Sequence, residues 1–181
     1  MSKVDIKKLM LAKRKSFDKD KKRRYDAIIK DQAMFFTEDA TTIGIYAATP
    51  DEVDTYAIME DLIWDSKKRI VVPKVEGDSL KFYQITSFKQ FEPGAYGIME
   101  PTVTTPVELS EIDLMFVPLV AFDATLHRIG YGKGYYDRTL AHCSAKKIGL
   151  AFSFQEVNDI MSAEHDVPCD IIITEKAIIT S

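Results

Sequence analysis

The chain has 181 residues, 46% hydrophobic and 29% charged, which suits one soluble domain of ordinary size with a substantial core. Its longest apolar run, Leu114–Phe122, is far short of a bilayer span, no apolar stretch follows the lysine-rich start, and Cys143 and Cys169 are the only cysteines. No membrane helix, secretory leader, disulfide framework or zinc site is therefore expected, and a reducing, cytoplasmic location is.

Residues from about Val4 to Phe35 read as mostly helical. Ile6, Leu9 and Met10, then Ile28, Ile29 and Met34, recur at broken helical spacing, with an interruption near Phe17–Asp20. The net charge of −4 is unevenly spread: residues 1–30 carry 12 of the 24 Lys and Arg against four acids, a local +8 that leaves −12 for the remainder. The densest part, Lys19–Arg24, reads as a solvated helix face. An acidic remainder with no RNA-binding motif argues against a nucleic-acid partner. Lys3 and Lys7 stand four apart and so share one helix face.

Thr41–Ala47 is strand-like in its β-branched and aromatic content. Pro50 and Asp51 mark a turn, and Asp54 or Thr55 can cap a helix carrying Ile58, Met59, Leu62 and Ile63. Arg69–Val75 is the next strand, with Pro73 marking its end or an edge. Leu80–Ile85 is another, and Pro93–Pro101 reads as loop. The run to Phe122 is a buried strand that Pro118 ends or bends. A helix over Tyr135–Cys143, a strand over Lys147–Phe152, a short helical piece near Gln155–Ile160 and a strand over Asp170–Thr174 complete the chain. Strands alternating with helices predict a single α/β domain over residues 1–181, with a largely parallel sheet and a basic helical N-terminal segment at about 3–35. Ligands gather beyond the carboxyl ends of such strands, so Pro50–Asp54, Phe122–Tyr136 and the segment after Phe152 are expected to converge.

The densest chemistry lies in HRIGYGKGYYDR, His127 to Arg138. Gly130, Gly132 and Gly134 alternate around Lys133. Glycines let backbone N–H groups approach an anion, and a helix starting just after them adds its positive end. The spacing is neither that of a P-loop nor that of the dinucleotide fingerprint. Three glycines alone would equally describe a plain turn. Arg128, Lys133 and Arg138 supply positive charge, Asp137 can hold a metal, and Tyr131, Tyr135 and Tyr136 offer flat faces, so phosphate binding is the favoured reading.

That segment, preceded by Pro118–Asp123, closely resembles the signature of the 5-formyltetrahydrofolate cyclo-ligase family, also called methenyltetrahydrofolate synthetase. Lys3, Ile6 and Lys7 resemble its N-terminal Lys-x-x-Leu-Arg element, Tyr46–Thr55 its Glu-containing segment, Ala95–Pro101 its aromatic-Gly-Ile-x-x-Pro element, and His165–Glu175 its C-terminal strand and preceding Asp. The matches run in family order along almost the whole chain. The resemblance implies a three-layer domain like those of ribose-5-phosphate isomerase and CoA-transferase relatives. It also implies a monomer that uses ATP and Mg²⁺ to cyclise 5-formyltetrahydrofolate, with or without a polyglutamate tail, to 5,10-methenyltetrahydrofolate through a phosphorylated imidate.

Carried over residue by residue, the resemblance puts Lys3, Lys7, Arg128, Gly130, Gly132, Lys133, Gly134, Tyr135 and Tyr136 on ATP. Lys133 and Arg128 become the catalytic cations. Glu52, Tyr96, Tyr131 and Tyr135 fall on the folate, and Asp137 and Asp166 on Mg²⁺. Three positions depart from the common pattern. Lys7 stands for an Arg, Tyr131 for an Arg found in some relatives, and Leu126 for a Gly in the turn before Arg128. The rival classes are an ATP-dependent enzyme with another acyl or amide substrate, a nucleotide- or folate-binding protein without turnover, and an RNA-binding protein.

Overall fold

The computed structural model describes residues 1–181. The basic region forms two helices, α1 (Lys3–Lys15) and α2 (Lys19–Thr37), with the break where the apolar spacing fails. Ser2 and Asp5 close a reciprocal capping box on α1. Asp18 caps α2 by accepting from the amides of Asp20 and Lys21 at 2.8 and 3.0 Å.

Strand β1 (Thr42–Gly44) is shorter than its β-branched stretch, because the chain turns out of the ladder soon after Ile45 donates to the Val71 carbonyl. Helix α3 (Tyr56–Ile63) follows. Thr55 does not cap it through its side chain; that hydroxyl donates to the Tyr46 carbonyl at 2.6 Å, while Asp54 accepts from the Tyr56 amide at 2.9 Å. Strands β2 (Arg69–Glu76) and β3 (Ser79–Ile85) form an antiparallel hairpin. Pro73 lies inside β2 rather than at its end. The partner β1 spans only Arg69–Val71, so at Pro73 one side of β2 is already free.

The Pro93–Pro101 stretch is not all loop. Strands β4 (Phe91–Pro93) and β5 (Met99–Pro101) pair around a 3-10 turn at Ala95–Gly97. After β6 (Pro106–Val107), the buried strand β7 (Leu114–Val117) ends at Pro118. The rest of the expected strand belongs to a separate hairpin, β8 (Ala121–Phe122) and β9 (Arg128–Ile129). Helix α4 (Tyr135–Leu140) stops short of Cys143. Strands β10 (Lys146–Leu150), β11 (Ile171–Ile173) and β12 (Ile178–Thr180) close the chain. No helix forms over Gln155–Ile160; a 3-10 turn at Ser153–Gln155 stands there instead. It lets the Gln155 side chain donate to the Leu119 and Val120 carbonyls at 3.1 and 3.0 Å.

The main sheet has the order β12-β11-β10-β7-β1-β2-β3-β6. Its five central strands are parallel, and β3, β6 and β12 add antiparallel edges that the sequence pattern did not distinguish. One face packs Ile43, Ile45, Phe116 and Ile148 against α2 and α3 through Ile29, Ala33, Met59 and Leu62. The other packs Val71, Met115, Val117 and Ile172 against Leu140 of α4 and the β8–β9 turn. Strand order reverses between β1 and β7: the chain runs outward to β2 on one side and to β10 and β11 on the other. The loops leaving β1 and β7 at their carboxyl ends therefore open side by side, the usual location of a ligand crevice.

The β8–β9 turn is built by Asp123, whose carboxylate accepts from the Thr125 amide and hydroxyl and, across the chain, from the Ile160 amide at 3.0 Å. Burial opposes ionisation there, but these hydrogen bonds outweigh it and hold the carboxyl below its ordinary value. Leu126 in that turn has φ of 68° and is 1% exposed. The position thus demands the left-handed backbone that glycine supplies freely, and leucine accepts it because its side chain fills the core. Leu126→Gly would relieve about 1–2 kcal/mol of backbone strain but forfeit about 3–5 kcal/mol of buried side chain. A net loss of about 2 kcal/mol is expected from that difference, measured by urea denaturation.

Candidate functional site

Helix α1 meets the glycine loop along one stripe. The Lys3 ammonium pairs with Asp166 at 3.0 Å, and the Lys7 ammonium donates to the Tyr131 carbonyl at 2.5 Å. Arg14, seven residues further along the same face, donates to the Leu119 carbonyl at 3.1 Å and to the Tyr131 hydroxyl at 2.6 Å.

The loop itself runs from β9 into α4. Gly132 and Gly134 have φ of 95° and 72°, so a side chain would be strained at either. Each loop glycine also abuts a cation: a Cβ at Gly130 would meet the Arg128 guanidinium, at Gly132 the Lys7 ammonium, and at Gly134 the Arg138 guanidinium. The glycines thus keep the backbone bare where positive charge is densest. Helix α4 is only 6 residues long, so side-chain cations outweigh its dipole.

Arg128 is buried and donates to the Asp137 carboxylate at 3.1 Å, with its guanidinium 5.9 Å from the centre of the Tyr136 ring. Asp137 also accepts from the Val167 amide at 3.3 Å, which brings the Asp166 segment against it. Asp166 accepts from the Ala163 amide at 2.7 Å as well as from Lys3. Its burial favours the neutral form, but those hydrogen bonds and the Lys3 charge prevail and hold the carboxyl below its ordinary value.

Lys133 reaches outward, 5.6 Å over the Tyr96 ring. Tyr96 is 64% exposed, with φ of 59°, at the tip of the β4–β5 hairpin. Glu100 pins that tip by accepting from the amides of Ala95 and Val75 at 2.8 and 3.0 Å. A side chain on Gly94 would overlap the Glu100 carboxylate. The Tyr96 hydroxyl close by raises the Tyr135 hydroxyl above its ordinary value, while Arg138 lies 5.3 Å over the Tyr135 ring.

Glu52 is not the surface acid that its turn context suggests; it is 5% exposed. One carboxylate oxygen accepts from the Thr49 amide at 2.9 Å. Around it stand Tyr46, Tyr131 and Tyr136. Burial first, and the Glu52 charge second, raise all three phenols, Tyr131 to about 12. In the entire chain three buried side-chain N or O atoms lack a partner: Arg14 Nε, Arg128 Nε and the Tyr136 hydroxyl. Arg14 contacts Tyr131 and Arg128 lies against Tyr136, so all three adjoin the glycine-loop segment. A separate cleft of about 540 Å³ lies between Ala48–Pro50 and Gly97–Met99, lined by the paired Lys22 and Asp26 and by Arg23 and Asp54.

The structure thus brings the sequence-selected residues into one region in two groups. Lys3, Lys7, Arg128, Gly130, Gly132, Gly134, Asp137 and Asp166 form a charged side of ion pairs and bare backbone, and Glu52, Tyr131 and Tyr136 the side next to it, with Glu52 buried. Lys133, Tyr96 and Tyr135 stand at the rim between them. Arg14, Tyr46 and Glu100 were missed. For Arg14 a signal existed, since its spacing from Lys3 and Lys7 keeps it on their face of the helix. Tyr46 and Glu100 carry no comparable mark.

A profile of the 5-formyltetrahydrofolate cyclo-ligase family matches residues 1–175. The chain belongs to that family. The 5-formyltetrahydrofolate cyclo-ligase of Haemophilus influenzae is 34% identical over 74% of this chain and 76% of its own length. That of Mycoplasma pneumoniae is 29% identical over 97% of this chain and 100% of its own. The 5,10-methenyltetrahydrofolate synthetase structure from Aquifex aeolicus superimposes with a TM-score of 0.89 at 32% identity, covering 99% of this chain and 93% of that one. Membership extends along the whole site, since both loops and α1 lie inside the matched residues. No helix is long and apolar enough to cross a membrane.

In this cyclo-ligase family member the Lys3–Asp166 pair ties the N-terminus to the C-terminal segment. A carboxylate depressed on folding stabilises the protein above its unfolded value and loses that contribution as pH falls through the depressed folded value. The acid limb of stability should therefore be shallower in Asp166→Asn than in the wild type. At neutral pH the variant should lose about 1 kcal/mol or less from the ion pair, since Lys3 is 40% exposed. Chemical denaturation across the acid range measures both.

Proposed function

We propose that this protein uses ATP and Mg²⁺ to close 5-formyltetrahydrofolate to 5,10-methenyltetrahydrofolate, releasing ADP and phosphate. One observation carries the reading. Arg128 Nε and the Tyr136 hydroxyl, buried and without a partner, lie at the glycine loop on the side of Glu52, so a polar ligand completes the hydrogen bonding there.

The two sides of the site suit the two substrates. Glu52 is an acceptor for the amino and N–H groups of a pterin, with Tyr131 beside it and Tyr96 and Tyr135 as aromatic walls. Lys3, Lys7, Arg128 and the bare amides of the glycine loop suit the ATP phosphates, with Tyr135 and Tyr136 flanking them.

No three His, Cys, Asp or Glu side chains gather into a ready-made metal cage. A magnesium ion bound between phosphates and waters needs only one or two carboxylates, and Asp137 and Asp166 fit that role. Bound there, the ion would neutralise phosphate charge.

The chemistry needs alignment more than a protein nucleophile. The formyl oxygen on N5 attacks the γ-phosphate, the resulting imidate carries a good leaving group, and N10 displaces phosphate as the ring closes. Lys133 and Arg128 stabilise the charge that spreads over the transferring phosphoryl group. Lys133, held over the Tyr96 ring at the boundary of the two sides, is the best placed to follow that transfer.

Mixing the protein with 5-formyltetrahydrofolate, ATP and Mg²⁺ should give methenyl absorbance that depends on ATP; none at high enzyme concentration overturns the proposal. Lys133→Ala should lower kcat by about 10²–10³-fold, the usual loss for a charge-stabilising donor. Its Kd for 5-formyltetrahydrofolate should change far less, and equal losses in both would remove Lys133 from phosphoryl transfer.

A further inference from the structure

Arg14 is 5% exposed, and no carboxylate contacts it. A buried guanidinium without a direct counter-ion is costly, so its retention calls for an explanation beyond stability. Its bond to the Leu119 carbonyl does not supply one, because Gln155 already donates to the same oxygen at 3.1 Å. The distinctive contact is the other one. Nη2 donates to the Tyr131 hydroxyl at 2.6 Å, and the guanidinium carbon sits 5.6 Å from the centre of the same ring.

A tyrosine hydroxyl has one proton. With Arg14 occupying an acceptor position, that proton is free to point elsewhere, and Glu52 is the nearby anion whose charge raises the phenol after burial itself. The Arg14 guanidinium therefore contacts a phenol that also feels the Glu52 charge. Arg14 sits on the helix that brings Lys3 and Lys7 to the glycine loop. Tyr131 is held at both ends by that helix, its carbonyl by Lys7 and its hydroxyl by Arg14.

We propose that Arg14 is a positioning residue for the folate side of the site: it orients the Tyr131 hydroxyl toward Glu52 and so fixes the carboxylate that meets the pterin. The assignment rests on the folate reading of Glu52 given above. It makes α1 serve both substrates, with its lysines on the phosphates and its buried arginine acting through Tyr131 on the folate.

The test compares Arg14→Met, Arg14→Lys, Tyr131→Phe and the double variant Arg14→Met/Tyr131→Phe. Arg14→Met should raise KM for 5-formyltetrahydrofolate about tenfold, the effect of losing one charge-assisted hydrogen bond, while KM for ATP moves less than about twofold. Its Tm should hold or rise, because an apolar side chain replaces a buried charge without orphaning the Leu119 carbonyl. Arg14→Lys should recover part of the folate KM. The double variant should be no worse than the poorer single one, since both act through the same hydroxyl.

Equal rises in both KM values, multiplying effects in the double variant, or a loss of Tm that tracks the loss of activity would each overturn the proposal. NMR with ring-labelled tyrosine reads the same phenol without turnover. The Tyr131 signal, assigned by its disappearance in Tyr131→Phe, should shift in both Arg14→Met and Glu52→Gln. An unmoved signal in Arg14→Met overturns the positioning role. An inactive wild type with a shifting signal overturns the folate reading instead.

Discussion

Strands β1 and β7 lie side by side at the centre of the sheet, and the chain travels away from them in opposite directions. That reversal leaves their carboxyl ends uncovered by any crossover and opens the crevice there. The loop after β1 delivers Glu52, and the hairpin and glycine loop after β7 deliver Arg128, Tyr131 and Lys133. Every other part of the site is arranged around that mouth. Asp123 shapes the hairpin that aims the glycine loop, and Glu100 fixes the tip that presents Tyr96.

Helix α1 closes the mouth from outside the sheet. It is held mainly by polar contacts to the site, from Lys3, Lys7 and Arg14, together with a small apolar patch of Ile6 and Met10 against Val120 and Ile129. The energetic balance of such an element is modest, because two of its three cations are at least partly exposed and contribute little as surface pairs. Its placement therefore depends on the site's own groups. Anions binding there would compete for Lys3 and Lys7, which in this structure are engaged by Asp166 and a backbone carbonyl.

Leu126, Lys7 and Tyr131, the three positions that depart from the resembled motif, each have a defined place in the structure. Leu126 keeps the left-handed turn that glycine supplies elsewhere, because burial of its side chain exceeds the cost of its backbone. Lys7 retains a cation at the loop while making a single contact, to the Tyr131 carbonyl. Tyr131 replaces charge with a phenol, and Arg14 lies against that phenol.

Much of the fold was legible in the chain itself. Runs such as Ile70–Val72, Leu114–Val117 and Ile171–Ile173 announce strands buried on both faces, and the apolar spacing in residues 4–35 places two helices with their break. Local pattern could not place β6, β8, β9 or β12, which are short and gain definition only from a partner strand. It also gave Gln155–Ile160 a helix that the Gln155 side chain, drawn to two carbonyls across the chain, does not allow. In the site, the glycines and their neighbouring cations declare themselves because backbone access and charge are local properties. The burial of Glu52, the contacts of Glu100, the partners of Arg14 and the unpartnered Tyr136 hydroxyl were decided by tertiary structure. Desolvation and hydrogen-bond direction depend on which segments meet, and the segments carrying residues 52 and 131 come together only because the strand order reverses between β1 and β7.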